Sequence, residues 1–169
     1  MQLSLKNIYV PGDVNGKNLL AHAAFKMGYI AASEIVEGKS DKYNNNIIPR
    51  AIYTYPEIGS VGLTEEEAKK SYDVKVGKFN YSANGRALAH GDSSGMVKII
   101  SDARYGEILG AHIVGPRASE LINEVSILMQ SEVIVEEAIK MVFGHPTFSE
   151  AIYEAIADVE GVSVHLPKK

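Results

Sequence analysis

Cysteine is absent from this chain. Disulfides, thiolate metal sites and a cysteine nucleophile are therefore excluded within it. Basic charge is scarce as well: 17 lysines and arginines stand against 21 acids, a net charge of -4. That balance gives no electropositive footprint for nucleic acid, and there is no polybasic run for an anionic membrane surface. No apolar run approaches the roughly 18 residues that a membrane span needs. The opening "MQLSLKNIYVPGD" has one lysine and no apolar stretch of the kind a secretory leader carries. Glycine-rich dinucleotide loops, internal repeats and low-complexity tracts are missing too. The expectation is a cytoplasmic protein that engages neither membrane nor nucleic acid.

What is present suits a folded domain. Hydrophobic residues make up 46% of the chain and charged residues 22%, which argues against disorder. Its 169 residues fit one domain, or one domain plus a piece of another, and can bury a core without staples. "NIYVP", Asn7 to Pro11, is a short β-type run ended by Pro-Gly. Leu19, Leu20, Ala23, Ala24, Met27, Ile30, Ala31 and Ile35 then recur at helical spacing, and this helix ends near Gly38. Its Gly28 would admit a close neighbouring backbone. "KSDKYNNN", Lys39 to Asn46, is polar and turn-forming, and marks a domain boundary.

Beyond it the pattern changes. "RAIYTY", "IGSVGLT" and "DVKVGKFNYS" read as strands, and Thr64 with Glu67 forms a capping box for a helix over Glu65 to Tyr72. "NGRALAHGDSSG", Asn84 to Gly95, reads as a loop. "MVKIIS" and "EILGAHIVG" form a hairpin across "DARYG". Three helices close the chain: one burying Ala118, Leu121, Ile122, Val125, Leu128 and Met129, a second over "VEEAIKMVF", and a third starting around Pro146 and burying Phe148, Ile152, Ala155, Ile156 and Val159. Strands followed by helices predict an α+β domain over 47–169, an antiparallel sheet with helices packed on one side. Residues 1–46 offer one strand and one helix, which cannot make a core. They read as the last βα piece of a larger unit.

Two stretches carry candidate chemistry. In "GHPTFSEAIYEA", His145 precedes Glu150 by five residues. An imidazole titrates near neutrality, and a carboxylate bonded to one ring nitrogen fixes its tautomer. The competing reading is structural, since Thr147 and Glu150 also spell a capping box and Pro146 can start a helix. In "GDVNGKNLLAHAA", Asp13 lies just past a strand and shortly before a helix start, where N–H groups can hold an anion or a carbonyl. Its structural alternative is an Asx-turn at Asp13, with Gly16 as a turn residue. His22, His90, His112 and His165 lack metal-site spacing, so no metal centre is expected, and His112 reads as a packed or hydrogen-bonded strand residue.

Taken together, "IYVPGDVNGKNLLAHAA", "YPEIGSVGLTEEEA", "GEILGAHIVGPRASELI" and "GHPTFSEAIYEA" resemble the pyridine-nucleotide disulfide oxidoreductases. The first looks like their second flavin-binding segment and the other three like their C-terminal dimerisation domain. Within the family the fit is best to the dihydrolipoamide dehydrogenases, from about Asn7 to His165. The resemblance implies that Asp13 bonds the ribityl–pyrophosphate part of FAD. Leu19, Leu20, Ala21 and His22 would face the flavin through backbone N–H groups. His145 would be the acid/base and Glu150 its partner, taking the proton from a dihydrolipoamide thiol in an FAD- and NAD-dependent reaction at the other subunit of a homodimer.

The redox cysteine pair, the first FAD loop and the NAD loop of such enzymes would precede this stretch. Residues 1–46 would then be the end of the FAD domain, with no cofactor, or only weakly bound flavin, held by this stretch alone. Further implied partners are the missing N-terminal domains and the lipoyl domains of a 2-oxo acid dehydrogenase complex. One departure is "FKMG", Phe25 to Gly28, where the family usually has acids before the glycine. Two alternatives stay open: another flavin disulfide reductase of the glutathione or mercuric reductase kind, although "GVSVHLPKK" lacks the cysteines of the latter, and a non-catalytic dimerisation module.

Overall fold

The computed structural model describes residues 7–38 and 43–167. The chain divides into two compact units, Met1–Ile48 and Pro49–Lys169.

In the first unit the expected strand at Asn7 to Pro11 is reduced to a single bridging residue, Tyr9. A 3-10 turn over Asp13–Asn15 follows, and then helix α1, Ala21–Glu37. Ala23, Met27, Ile30 and Ala31 are its buried stripe. Gly38 closes the helix, its N–H donating to the Glu34 carbonyl at 3.1 Å. Leu19 and Ile35, which the spacing put on the apolar stripe, are 69% and 64% exposed. Phe25, Tyr29 and Val36 are exposed as well, so α1 shows apolar side chains to water. Apart from the helix's own backbone and the adjoining residues, no atom among the described residues lies within 4 Å of where a Cβ on Gly28 would stand. The close neighbour expected there is not supplied by them. Of the polar boundary segment, residues 39–42 lie outside the described residues.

The second unit is built on a five-stranded sheet: β1 (Arg50–Ile52), β2 (Glu57–Gly62), β3 (Val74–Asn80), β4 (Met96–Asp102) and β5 (Ile108–Gly115). Their order is β1-β2-β5-β4-β3, and every neighbouring pair is antiparallel. The predicted hairpin is β4–β5. At its turn the Asp102 carboxylate accepts from the N–H groups of Arg104 and Tyr105, at 3.2 and 3.1 Å. β1 is shorter than "RAIYTY" suggested, because the Thr54 hydroxyl donates to the Pro56 carbonyl at 2.7 Å and turns the chain.

Five helices complete the unit: α2 (Glu65–Ala68), α3 (Gly85–His90), α4 (Ala118–Gln130), α5 (Val135–Ile139) and α6 (Glu150–Val159). The Thr64–Glu67 capping box forms in full at α2, although that helix stops at Ala68 rather than Tyr72. α3 corrects the loop expected over Asn84 to Gly95. Asn84 caps it by accepting from the Ala87 N–H at 2.9 Å, which outweighs the turn character of its neighbours. The last helix begins at Glu150, four residues later than expected, and Phe148 is half-buried.

α4 and α6 lie on one face of the sheet, as an α+β domain requires. Gly59 on β2 lies under α4, and Gly77 on β3 under α6. The opposite face is covered at one corner by α2, where Ala68 packs with Ile100 and Leu109. Gly77 shows how close the approach is: a Cβ there would stand 2.0 Å from the Ala155 carbonyl oxygen and 2.7 Å from the Val159 nitrogen. These are backbone atoms of α6, so the whole helix would have to lift. Gly77→Ala should lower the unfolding free energy by about 1–3 kcal/mol in urea titration, the usual range for overpacking. An unchanged midpoint would show that α6 is not seated this tightly.

Candidate functional site

The loop between α5 and α6, residues 140–149, brings the two candidate residues together. Nδ1 of His145 lies 2.8 Å from Oε1 of Glu150. The other oxygen, Oε2, accepts from the Thr147 N–H at 2.7 Å. A carboxylate can only accept, so Nδ1 is the donor, and in the neutral ring Nε2 keeps its lone pair. The imidazole is 74% exposed, whereas the Glu150 side chain is 20% exposed. A ring held at one nitrogen by a sheltered carboxylate, with its basic nitrogen open to solvent, can take up and return a proton.

The capping-box alternative is half realised. Glu150 accepts from the Thr147 N–H as a box would, but the Thr147 hydroxyl turns back and donates to the Gly144 carbonyl at 2.7 Å. α6 instead starts behind Ser149, whose hydroxyl reaches Glu124 of α4 at 2.7 Å. Phe148 packs edge-on against Tyr81 and His90, with ring centroids 6.3 and 5.8 Å away. Tyr81 is fully buried, and burial pushes its hydroxyl above the usual tyrosine range. Beside this loop lies a hollow of about 480 Å³, lined by Arg86, Arg117, Leu121 and Phe148 among others. His112 is hydrogen-bonded to the Leu63 carbonyl at 3.2 Å, in keeping with its reading as a strand residue.

In the first unit, Asp13 is exposed at the head of the 3-10 turn, behind Gly12. The Asx-type bond in this turn is made by Asn15, whose Oδ1 accepts from the Lys17 N–H at 2.9 Å. Leu19 and Leu20 precede α1, while Ala21 and His22 are its first residues. Leu20 offers no side-chain cap. Helix geometry leaves the first N–H groups of α1 without intrahelical partners. Among the described residues no three His, Asp or Glu side chains gather as a metal site. No helix among them is long and apolar enough to cross a membrane.

The spacing rules passed over a second His–Glu pair. Glu154, one turn after Glu150 on α6, is 3% exposed. Its Oε1 meets Nδ1 of His165 at 2.8 Å. Its Oε2 accepts from the N–H groups of Val164 and His165, at 3.0 and 3.1 Å, and from the Ser163 hydroxyl. The eleven-residue separation crosses a helix end, and no periodicity marks it. A glutamate on the buried stripe of an amphipathic helix was the available signal.

A family model described as the pyridine nucleotide-disulphide oxidoreductase dimerisation domain matches residues 48–156. The chain belongs to this family. Among its curated relatives, dihydrolipoyl dehydrogenase of Bacillus subtilis is 43% identical over 166 residues, covering 98% of this chain and 36% of the relative. Dihydrolipoyl dehydrogenase of Corynebacterium glutamicum is 40% identical over 170 residues, with the same coverage. The chain thus spans about a third of the length of these relatives. Among solved structures, LpdA from Mycobacterium tuberculosis superposes with a TM-score of 0.84 at 27% identity, over 89% of this chain and 33% of that one. The Cu(II) complex of RclA from Escherichia coli, an HOCl-induced flavoprotein disulfide reductase, gives 0.82 at 28% identity, over 91% and 35%.

Burial alone would raise the Glu154 carboxyl. The Ser163 hydroxyl and the His165 ring and N–H outweigh it and hold the group below its ordinary value of 4.5. A depressed carboxyl contributes stability above its unfolded pKa, and that contribution is lost as pH falls through 4.5 toward the folded value. Glu154→Gln should cost about 1–3 kcal/mol at pH 7 and flatten the decline in stability below pH 4.5, both read from urea titrations. A variant that keeps the wild-type acid slope would show that Glu154 does not contribute to it.

Proposed function

We propose that this chain is the C-terminal, subunit-bridging part of a flavin- and NAD-dependent dihydrolipoamide dehydrogenase. The observation that carries the reading is the His145–Glu150 bond, which leaves an oriented base exposed in a chain with no cysteine. Relatives named dihydrolipoyl dehydrogenase, aligned over nearly the whole chain, support it. Nε2 of His145 takes the proton from a dihydrolipoamide thiol at the partner subunit's active site, so that the thiolate attacks a disulfide there. Glu150 holds the tautomer and stabilises the imidazolium that forms.

The residues of the first unit fit a flavin. Asp13 is exposed and its turn is closed by Asn15, so its carboxylate can accept from the ribityl hydroxyls in the ribityl–pyrophosphate part of FAD. The uncapped start of α1, Leu19 to His22, would offer N–H groups to the ring. Bound FAD supplies the two-electron relay toward NAD. The reading makes residues 1–46 the end of an FAD-binding domain, and 47–169 the interface of a homodimer. It takes the lipoyl domains of a 2-oxo acid dehydrogenase complex as partners and the cytoplasm as the location. The likeness to RclA favours a second reading, a related flavoprotein disulfide reductase with another substrate.

Light scattering over a dilution series should give a dimer that persists to low concentration, and a stable monomer would contradict the interface role. In the polypeptide that includes the flavin and nicotinamide segments, His145→Ala should reduce dihydrolipoamide turnover by about 10²–10⁴-fold. Near-normal turnover would end the acid/base assignment. Faster reduction of glutathione disulfide than oxidation of dihydrolipoamide would favour the second reading. Asp13→Ala in the same polypeptide should lower flavin retained through gel filtration, and full retention would remove Asp13 from the cofactor site.

A further inference from the structure

We propose that Asn84 is a positioning residue for the His145–Glu150 pair, acting through Thr147. The proposal rests on the reading of His145 as an acid/base. The His145 ring is largely exposed, so little packing fixes it and its orientation depends on Glu150. Glu150 in turn is steered by Oε2, which is bonded to the Thr147 N–H. Thr147 is held at its other backbone group by Asn84: Nδ2 donates to the Thr147 carbonyl at 3.1 Å. Asn84 lies 63 residues earlier in the chain and is only 2% exposed.

The choice of side chain is informative. Capping α3 requires only an acceptor for the Ala87 N–H, which Oδ1 provides at 2.9 Å. Serine, threonine or aspartate would cap about as well. None of them also presents an amide N–H to a carbonyl on the far side. Asparagine alone among these good caps can hold Thr147 and cap α3 at once. The capped start of α3 thus becomes the reference against which the loop bearing His145 is set. A ring set on a mobile loop would sample geometries in which Nε2 misses its thiol.

Asn84→Ser separates the two roles, since it keeps an oxygen for the cap and is too short to reach Thr147. Two-bond ¹H–¹⁵N correlation spectra of this chain should show His145 moving from the Nδ1–H tautomer to a mixture. In the flavin-containing polypeptide, kcat for dihydrolipoamide should fall about tenfold with KM within about twofold. Asn84→Asp, which keeps the cap and sets an oxygen against the Thr147 carbonyl, should do the same and serves if the serine variant does not fold. A loop anchor of purely structural value would lower the unfolding midpoint and leave both tautomer and kcat unchanged, and that result overturns the proposal. His145→Gln runs alongside. If it leaves turnover intact, the acid/base reading fails while the tautomer measurement still decides the role of Asn84. If it abolishes turnover and the Asn84 variants keep tautomer and rate, only the positioning role fails.

Discussion

Three carboxylates at four-residue intervals along α6 hold the C-terminal half of this domain together. Glu150, Glu154 and Asp158 lie along one flank of the helix. Each accepts hydrogen bonds from a different piece of chain. Glu150 takes the His145 loop, Glu154 takes the segment Ser163 to His165, and Asp158 accepts from the Lys78 N–H of β3 at 3.0 Å. Like charges one turn apart repel on a bare helix. Here they are acceptable because their charge is answered locally by N–H and O–H donors. The helix is thereby both a core element, seated over Gly77, and a spine from which a loop and the following chain are hung.

That arrangement explains why the dyad can be both exposed and ordered. An exposed imidazole usually samples several rotamers, and its entropy opposes any single geometry. Glu150 is anchored from two sides, by its own helix and by Thr147, so only the short path through Nδ1 remains free. Thr147 and Ser149 extend the anchoring outward to α3 and α4. The imidazole is therefore referred to the sheet and its helices rather than to the loop on which it sits.

Much of the second unit was legible from sequence because burial and alternation agree there. β3, β4 and β5 were expected where they occur, since β3 alternates apolar with polar residues and β4 and β5 are short apolar runs on either side of a turn. His145 and Glu150 were legible because only five residues separate them. α3 was not, because its boundary residues, Asn84, Gly85 and Gly91, are also turn formers. What decides between the two is the cap bond to Ala87, which is geometry rather than composition. The late start of α6 has a similar cause: the Thr147 hydroxyl donates to the Gly144 carbonyl and no side chain caps the helix, which no spacing rule foretells. The Glu154–His165 pair escaped notice because it joins a helix to the chain that doubles back beyond its end.

α1 carries apolar side chains on more than one side. Ala23, Met27, Ile30 and Ala31 bury one face, while Phe25, Tyr29 and Val36 remain at water. A surface helix usually keeps its apolar residues to one stripe, and α1 does not. Its outward stripe carries a hydration cost that only contact with another apolar surface removes.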